Sequence, residues 1–298
     1  MARLNLEHLR SFLAVTRLGG VRKAATAMHL TQPAVTARIK ALEDTVGAAL
    51  FDREGGGMRL TKRGELLLSY AEKFEHLSEM VTRDVISPES LEGRLRLGVS
   101  ETIAQCWLPD LIALCHARYP NLDIEFDVDI SLNLRDALIA EELDLAILLG
   151  PISDYSVDNL DLPGFALEWY VSAEAPELAD PSGHFAKPVL TYARQTRPYR
   201  ELRSTLFERV GPDVRLFPSS SLLACFRLVE ANLGVAALPA DLARPYLAAG
   251  TIRRFDPGWV PQPLFFTASF RANPRNQMAE TVAQMAQSVA FDYANKFS

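Results

Sequence analysis

One predicted helix begins with short polar side chains whose chemistry suits hydrogen bonding to the edges of nucleic-acid bases. Between residues 32 and 46, apolar residues recur at spacings of four, three and four, which predicts a helix with one buried face. That face holds Val35, Ile39, Leu42 and Val46. The opposite face presents Gln32, Pro33, Thr36, Ala37 and Lys40. A glutamine amide pairs with adenine, and a threonine methyl contacts the thymine methyl, so we predict base-edge contacts from Gln32, Pro33 and Thr36 in a major groove.

Two shorter helices are predicted before this one, and they would position it. The first ends at Gly19-Gly20 and has one apolar face, formed by Leu6, Leu9, Phe12 and Leu13. Small residues between 22 and 28 predict a second helix that packs closely against its neighbours. Thr31 is placed to cap the third helix, and Gly47 to end it. Three helices in this order are typical of a helix-turn-helix.

A small hairpin, or wing, is predicted after the third helix. The segments 50–53 and 58–61 flank the run Glu54-Gly55-Gly56-Gly57, which suits a tight turn at the hairpin tip. A nucleotide-binding loop is the alternative, but the run lacks the Lys-Ser/Thr pair that such a loop needs. The turn is therefore the favoured interpretation.

Basic side chains around the third helix are predicted to contact the phosphate backbone and the flanking groove. The alternative is that several of them, Arg38 above all, are simply solvated. The full set of predicted DNA-binding residues is Arg22, Lys23, Thr31, Gln32, Pro33, Thr36, Arg38, Lys40, Arg53 and Arg59.

The net charge of the chain, −6 over 298 residues, argues at first against a nucleic-acid partner. The charge is unevenly distributed, however, because residues 1–63 hold 11 Lys/Arg against 5 Asp/Glu and the remainder holds 20 against 32. A basic N-terminal part suits a polyanion such as DNA, while the acidic remainder is kept away from it.

The segment AATAMHLTQPAVTARIKALEDTVGAALFDREGGGMRLTKRGE resembles the winged helix-turn-helix of LysR-type transcriptional regulators. The resemblance runs from about Leu6 to Glu65, and TQPAVT, IKALED, LFDR and RLTKRG are its most specific parts. It implies binding to double-stranded promoter DNA and contact with RNA polymerase. The chain departs from the family at Ala37, where many relatives carry a base-reading Arg. It also departs at Gly20 and Arg22, where Ser and Thr are usual, which removes a side-chain cap.

A long amphipathic helix is predicted to follow the wing. Leu60, Leu67, Phe74 and Val81 repeat every seven residues; Ala71, Ser78 and Val85 form a second seam, and Tyr70 and Leu77 widen the stripe. This spacing predicts a helix of about 25 residues ending before Ser87-Pro88. Packing on its own domain is one interpretation. The resemblance implies instead that it pairs with the same helix of a second subunit, in a homodimer or homotetramer.

The rest of the chain alternates strands and helices, which predicts an α/β fold. Strands at 94–100, 123–130 and 144–149 enclose helices at 102–119 and 134–142, so we expect parallel pairing. After Pro163-Gly164 a second lobe is predicted, with strands at 188–192, 216–217 and 235–239 and helices at 198–210, 221–233 and 240–249. Pro261 and Pro263 mark the return to a last strand at 264–270 and a helix at 276–294.

The predicted fold is therefore α/β with a helix-rich winged helix-turn-helix at 1–62, a linker helix and hinge at 63–91, and a two-lobed α/β domain at 92–298. Lobe I comprises 92–163 and 264–298, and lobe II comprises 164–263. The motifs VEANLGVAALP and ELDLAILLGP resemble the effector domain of the same family, which shares its fold with type 2 periplasmic binding proteins.

An effector is expected between the lobes, where strands end and helices begin. Lobe I would contribute Ser100, Thr102 and Ser131, the last at the end of the second strand, and lobe II would contribute Gln195, Thr196 and Arg197. Hydroxyls and amides suit a carboxylate, so a small organic acid or amino-acid-like effector is predicted. The alternative is that these residues only cap helices. Glu101 would favour an ammonium if it faced the ligand, but it also suits a helix N-terminus.

Other chemistries find little support in the sequence. It contains no GxSxG, HExxH or GxGxxG motif and no zinc-type cysteine spacing, so no catalytic residue, metal or cofactor is predicted and the protein is not expected to be an enzyme. A thiol-based redox regulator using Cys106, Cys115 and Cys225 is the alternative function. Cys106 and Cys115 lie nine residues apart on one predicted helix, which favours packing.

Localisation is predicted from what the N-terminus and the hydropathy pattern lack. The first residues, MARLNLEHLRSF, have no apolar run of the signal-peptide type, and no stretch reaches the roughly 18 apolar residues of a membrane span. We therefore expect a cytoplasmic protein without a membrane partner.

Overall fold

The computed structural model describes residues 4–52, 58–81, 93–273 and 275–296 and divides the chain into two units, Met1–Glu89 and Ser90–Ser298. The tip of the predicted wing, including Arg53, lies outside the described residues. So do Val85 and the predicted end of the linker helix at Ser87-Pro88. Each unit is described by itself.

Within its described residues, the first unit contains four helices and one short hairpin. The helices are α1 (Leu6–Leu18), α2 (Val21–Ala27), α3 (Gln32–Val46) and α4 (Lys62–Val81). The hairpin strands are β1 (Phe51–Asp52) and β2 (Arg59–Leu60), which pair antiparallel.

The ends of α3 follow from local chemistry. Thr31 precedes the helix in extended backbone, and its Oγ1 accepts a hydrogen bond from the Ala34 amide at 3.3 Å. Gly47 ends the helix with a φ of 74°, a left-handed conformation that glycine adopts without steric cost. Both predicted boundaries are confirmed. At α2, Gly20 provides no side-chain cap, as its departure from the family pattern predicts.

The core of the first unit lies where α1, α2 and α3 meet. Its buried side chains are Leu9, Phe12, Leu13, Val15, Ala24, Ala25, Val35, Ile39, Leu42, Leu50, Phe51 and Ala71. Of the predicted apolar face of α1, Leu9, Phe12 and Leu13 are buried in this core, whereas Leu6 is 48% exposed. Leu6 is the first residue of α1, one turn before the positions that the core covers. Val46, at the other end of α3, is half-buried.

Residues of the motifs IKALED and RLTKRG hydrogen-bond to the segment that leads into the hairpin. Glu43 of α3 accepts a hydrogen bond from the Leu50 amide at 2.8 Å, and Thr61 donates its hydroxyl to the Ala49 carbonyl at 2.8 Å. Gly64 lies in the first turn of α4, where an added Cβ would be 2.2 Å from the Leu50 carbonyl oxygen. Only glycine permits this close approach.

The described part of the second unit contains two five-stranded sheets, one in each lobe. The lobe I sheet has the order β4-β3-β5-β12-β6. Its strands are β3 (Gly93–Val99), β4 (Leu122–Val128), β5 (Leu145–Leu149), β6 (Val157–Asp161) and β12 (Phe266–Arg271). The predicted parallel pairing is confirmed for β3 with β4 and with β5. The sheet is mixed, however, because β12 runs antiparallel to β5 and to β6. Strand β6 was not predicted from the sequence.

The lobe II sheet has the order β11-β7-β10-β8-β9. Its strands are β7 (Leu167–Ser172), β8 (Val189–Thr191), β9 (Leu216–Pro218), β10 (Val235–Pro239) and β11 (Ile252–Arg254). The predicted strands β8, β9 and β10 are present and mutually parallel. Two others, β7 and β11, were not predicted, and neither was a short 3-10 helix at Pro181–Ala186.

Seven helices cover the two sheets within the described part of this unit. They are α5 (Glu101–Cys106), α6 (Leu108–Arg118), α7 (Ser131–Ile139), α8 (Arg197–Arg209), α9 (Leu222–Glu230), α10 (Ala240–Ala248) and α11 (Gln277–Lys296). The chain crosses between the lobes twice. The crossings pair through Phe165 and Leu264, whose amides each donate to the other's carbonyl at 2.9 Å.

The single helix predicted at 102–119 is wrong, because the structure has α5 and α6 with a break at Trp107. Trp107 has φ −132° and ψ 2°, outside the helical region, and its side chain is buried. Pro109 supplies the physical reason: it has no N–H to donate to the Gln105 carbonyl, so a continuous helix would lose a hydrogen bond there. Pro109 instead occupies the first turn of α6, where a missing N–H is harmless.

Candidate DNA-binding face and effector cleft

The start of α3 presents the predicted polar face to solvent. Thr31, Gln32, Pro33, Thr36 and Lys40 are exposed. Val35, Ile39 and Leu42 on the opposite side are buried in the core. The helix therefore keeps short polar side chains free at the end that recognition helices insert into a major groove.

The hydrogen bonds within α3 show which groups remain available. Thr36 donates its hydroxyl to the Gln32 carbonyl at 2.9 Å, so its methyl group is the part left for contact with a base. The Thr31 hydroxyl is used by the helix cap. Among the described residues, no group forms a hydrogen bond with the side-chain amide of Gln32. That amide is therefore free for a bidentate pair.

The basic residues divide into one ion-paired side chain and several exposed ones. The Arg38 guanidinium donates to Glu7 Oε2 at 3.1 Å and to Ser11 Oγ at 3.4 Å, which joins α3 to α1. Its phosphate contact stays a prediction, since this guanidinium already has a carboxylate partner. The exposed basic residues of the predicted set are Arg22, Lys23, Lys40 and Arg59.

The linker helix α4 divides the predicted seven-residue repeat between two faces. Leu60 lies in β2 before the helix, and Phe74 and Val81 lie on a different face from Leu67. Leu67 and Ala71 pack against the core of the first unit, and Glu75 forms an ion pair with Arg17 of α1 at 2.7 Å. A second face is apolar and between 43% and 57% exposed. This face, the α4 stripe, consists of Leu66, Tyr70, Phe74, Leu77 and Val81. Large apolar side chains at spacings of four, four, three and four form a continuous surface on one helix.

A cavity of about 320 Å³ lies between the two lobes of the second unit. Lobe I contributes the end of β3 and the start of α5, together with the segment between β4 and α7. Lobe II contributes the segments that precede α8 and α9. The lining residues are Ser100, Glu101, Thr102, Val128, Asp129, Ile130, Ser131, Leu149, Tyr192, Ala193, Thr196, Ser219, Ser220, Ser221, Leu222, Leu264 and Phe266.

Ser100 brings a buried hydroxyl without a partner to this cavity. The residue is 8% exposed, and its Oγ makes no hydrogen bond with any part of the chain that the structure describes. It precedes α5 but does not cap it. A buried hydroxyl normally has a partner, since leaving it unpaired costs about 1–3 kcal/mol. Thr102, also buried, lies beside it in the lining.

Ser131 and Thr196 line the same cavity, but their hydroxyls also have structural partners. Ser131 Oγ accepts from the Leu149 amide at 2.9 Å. Thr196 Oγ1 donates to the Ala193 carbonyl at 2.7 Å and accepts from the Tyr199 amide at 3.4 Å, so it caps α8. The prediction that Ser131 ends a strand is wrong: β4 stops at Val128, and Ser131 is the first residue of α7.

Gln195 and Arg197 do not line the cavity that contains Ser100. They line a neighbouring space of about 460 Å³, which shares Ser131 and Thr196 with the first and also includes Arg135 and Arg200. Arg197 lies 3.7 Å from Glu201, and Arg200 donates to the Gln195 carbonyl at 3.2 Å. The predicted effector residues are therefore divided between two adjoining spaces.

The serine run Ser219-Ser220-Ser221, which was not among the predicted effector residues, lines the cavity directly before α9. A run of three serines followed by an apolar helix was the available indication, because serine is a common helix N-cap. Ser221 does cap α9, and its Oγ accepts from the Ala224 amide at 3.2 Å. The same hydroxyl lies 3.1 Å from Glu101 Oε1 of lobe I.

The three thiols are free and poorly suited to redox chemistry. Burial raises the pKa of Cys106, Cys115 and Cys225 to about 11 each. At neutral pH such thiols are almost wholly protonated, and the thiolate is the reactive form. Within the described residues, no group of three His, Cys, Asp or Glu side chains is arranged to hold a metal ion, and no helix there is long and apolar enough to span a membrane.

Comparison with known proteins identifies the family. Residues 6–65 match the bacterial regulatory helix-turn-helix protein, lysR family, and residues 88–290 match the LysR substrate binding domain. The chain belongs to the LysR family of transcriptional regulators. The predicted resemblance and the predicted fold are confirmed.

Individual relatives are similar to this protein along most of its length. The HTH-type transcriptional regulator GltR of Bacillus subtilis (strain 168) is 28% identical over 250 residues, which is 84% of each chain. A full-length OxyR variant from Pseudomonas aeruginosa superposes with a TM-score of 0.66 at 25% identity and covers 97% of each chain. CbnR in complex with its target DNA has a TM-score of 0.63 at 18% identity, covering 96% of this chain and all of the other.

Proposed function

We propose that this LysR-type regulator binds promoter DNA sequence-specifically through the start of α3, and that Gln32, Pro33 and Thr36 contact the bases. The proposal rests on one observation: the exposed N-terminal face of α3 carries a free amide and a free methyl group above a fully packed core. Arg22, Lys23, Lys40 and Arg59 would contact phosphates. The solved complex of CbnR with DNA supports the same use of this fold.

A DNA-binding titration tests this proposal. The probe is the intergenic duplex upstream of the protein's own gene, and the control is a shuffled duplex of equal length and composition. We expect tighter binding to the intergenic duplex at physiological salt. Equal affinity for both duplexes would contradict sequence-specific binding.

The α4 stripe is the proposed dimer contact. Its five apolar side chains are 43–57% exposed in the part of the chain that the structure describes, and burying them against the same stripe of a second copy removes that surface from water. Two copies would present two α3 helices to one duplex, so the operator would be partly two-fold symmetric. Such a dimer, or a pair of dimers, would act on promoter DNA and RNA polymerase in the cytoplasm, with no catalytic step of its own.

The cavity between the lobes is the proposed effector site, and a small carboxylate is its proposed ligand. Ser100 supports this, because its buried hydroxyl is a donor that awaits an acceptor. Helix α5 has only six residues, so this hydroxyl rather than a helix dipole would hold the carboxylate. An effector bound by both lobes would shift their geometry and, through it, DNA bending and polymerase contact.

Calorimetry against a panel of small organic acids and amino acids tests the site. The best ligand should lose affinity on Ser100→Ala or Thr102→Val. Thr191→Val is the matched control, because Thr191 also has a buried hydroxyl without a partner but does not line the cavity. Unchanged affinity in the Ser100 and Thr102 variants would contradict the site.

Thiol-based redox sensing is the second candidate, and the similarity to OxyR favours it. A related OxyR variant has been solved with hydrogen peroxide bound. The raised thiol pKa values oppose it here. The test is DNA binding before and after treatment with hydrogen peroxide, compared with the Cys106→Ser and Cys225→Ser variants. A peroxide effect that either substitution abolishes would favour the redox function.

A further inference from the structure

Glu101 of lobe I extends its carboxylate to the N-terminus of α9 in lobe II. Oε2 accepts from the Leu222 amide at 2.5 Å. Oε1 accepts from the Leu223 amide and from the Ser221 hydroxyl, each at 3.1 Å. A fourth donor, Gln105 Nε2, lies 3.0 Å from Oε1 on the same helix as Glu101. The two lobes are therefore joined by three hydrogen bonds to one charged group.

The donors on α9 are of the kind that an anion needs. Leu222 and Leu223 are the first residues of a nine-residue helix, so their amides have no partner within the helix itself. Hydrogen bonds from such amides to a carboxylate are charge-assisted and shorter than neutral ones. The occupant here is a carboxylate, which shows directly that this position accepts one.

The lining of this cavity includes one carboxylate with hydrogen-bond partners, Glu101, and one hydroxyl without a partner, Ser100. Ser100, next to Glu101 in the chain, has the buried hydroxyl without a partner. Ser221, on the other side of the cavity, already binds Glu101. A ligand carboxylate that binds donors of both lobes would therefore find the donors at the start of α9 already occupied by Glu101.

We propose that Glu101 is an internal competitor of the effector, a latch that occupies the carboxylate position at the start of α9 until a ligand carboxylate replaces it. This inference rests on the proposed effector site, whose regulation it describes. Exchange of one carboxylate for another keeps the α9 amides bonded while it releases lobe I from lobe II at this point. Effector binding is then coupled to the breaking of an existing contact between the lobes.

Chemical rescue of Glu101→Ala tests the latch without knowledge of the natural effector. The probe is sodium acetate, titrated against sodium chloride at equal ionic strength, and the measurement is the melting temperature of the full chain. In the variant, acetate should fill the vacated position and raise the melting temperature by about 2 °C over chloride. Wild-type protein should show no acetate-specific rise. The exposed Glu177→Ala variant should behave like wild type.

The outcomes separate the latch from the effector site. An equal acetate response in the variant and in wild type overturns the latch. If Glu101→Ala does not fold, as judged by circular dichroism, Glu101→Gln replaces it, because the glutamine amide keeps one acceptor but loses the charge. An acetate response of Glu101→Gln equal to that of wild type would also overturn the latch. With the best acid from the calorimetric panel, removal of a competitor should tighten binding about tenfold. An acetate-specific rise in the variant supports the latch even if wild type binds no acid on the panel, a result that counts against the effector proposal alone.

Discussion

Asp144 holds Arg96 in lobe I through two hydrogen bonds of 3.1 Å, from the guanidinium Nε and Nη2. The same carboxylate accepts from the Arg96 amide at 2.8 Å and from Asn276 at 3.3 Å, so it joins β3, the start of β5 and the segment before α11. Asp144 has a side chain only 2% exposed and belongs to the motif ELDLAILLGP. The motif therefore includes the charged group that connects three parts of this lobe.

Replacing Asp144 should destabilise the second unit. Asp144→Ala leaves the Arg96 guanidinium and amide without their acceptor, and breaking such a pair costs about 3 kcal/mol, near the lower end for buried ion pairs because Arg96 is partly exposed. Urea unfolding measures the free energy. The exposed Asp127→Asn in β4 is the control and should change it by less than about 0.5 kcal/mol. A small effect at Asp144 would show that the pair contributes little.

Substitutions on α3 should separate specificity from affinity. Gln32→Ala and Thr36→Ser are expected to relax sequence preference by about 1–3 kcal/mol each, because they remove the side-chain amide and the methyl group placed for base contact. Lys40→Ala should weaken all duplexes alike and lower the salt dependence by about one phosphate contact. Thr45→Ser is the control, since it removes the same methyl group from a threonine with the same internal hydrogen bond, to the Ala41 carbonyl, at the far end of the helix. Fluorescence anisotropy with matched and mismatched duplexes measures both quantities.

A charge in the α4 stripe should reduce self-association. Phe74→Glu and Tyr70→Glu place a carboxylate where the proposed dimer buries apolar surface, and a buried unpaired charge is strongly unfavourable. Light scattering after size-exclusion chromatography should show a shift towards monomer. Glu72→Lys, an exposed charge reversal outside the stripe, should leave the mass unchanged. A Phe74 variant with the wild-type mass would rule out this helix as the contact.

Stability should fall below neutral pH because of His184. Burial lowers its pKa below the usual 6.5, with further lowering by the charges of Arg253 and Lys187. The neutral ring packs against Phe255 with 4.9 Å between centroids. The folded-state pKa is depressed, so protonation favours the unfolded chain: stability is full above about pH 6.5 and declines as the pH falls.

Melting temperatures between pH 7.5 and pH 5 measure this effect of His184. His184→Gln removes the titrating group and should flatten the decline. The exposed His116→Gln should not flatten it. A decline of the same slope in all three proteins would exclude His184 as its source.

Local features were the best predicted parts of the fold. Helix α3 begins and ends where its cap and its glycine place it, because both boundaries depend on residues within one turn. The break at Trp107 is also a local feature, because Pro109 indicates it. One continuous helix was predicted because the apolar spacing continues on both sides of the proline. Strands β6, β7 and β11 were missed because they exist through pairing with distant strands.

The candidate cleft was predicted only in part for a similar reason. Ser100 and Thr102 follow a recognisable strand, so their position could be inferred. The contact between Glu101 and Leu222 joins residues 121 apart in the chain, and nothing near either residue indicates the other. Their meeting depends on how the two lobes close, which spacing along the sequence does not encode.

The paired crossings at Phe165 and Leu264 make lobe II an insertion into lobe I. The chain leaves and re-enters lobe I at two neighbouring points whose amides bond each other's carbonyls. The ends of the inserted segment are thus already held together by the host lobe. A corresponding segment from another family member could be grafted between these two points without rerouting the host chain. Lobe II is in this sense an exchangeable module, and ligand preference could diverge there while the DNA-binding part stays the same.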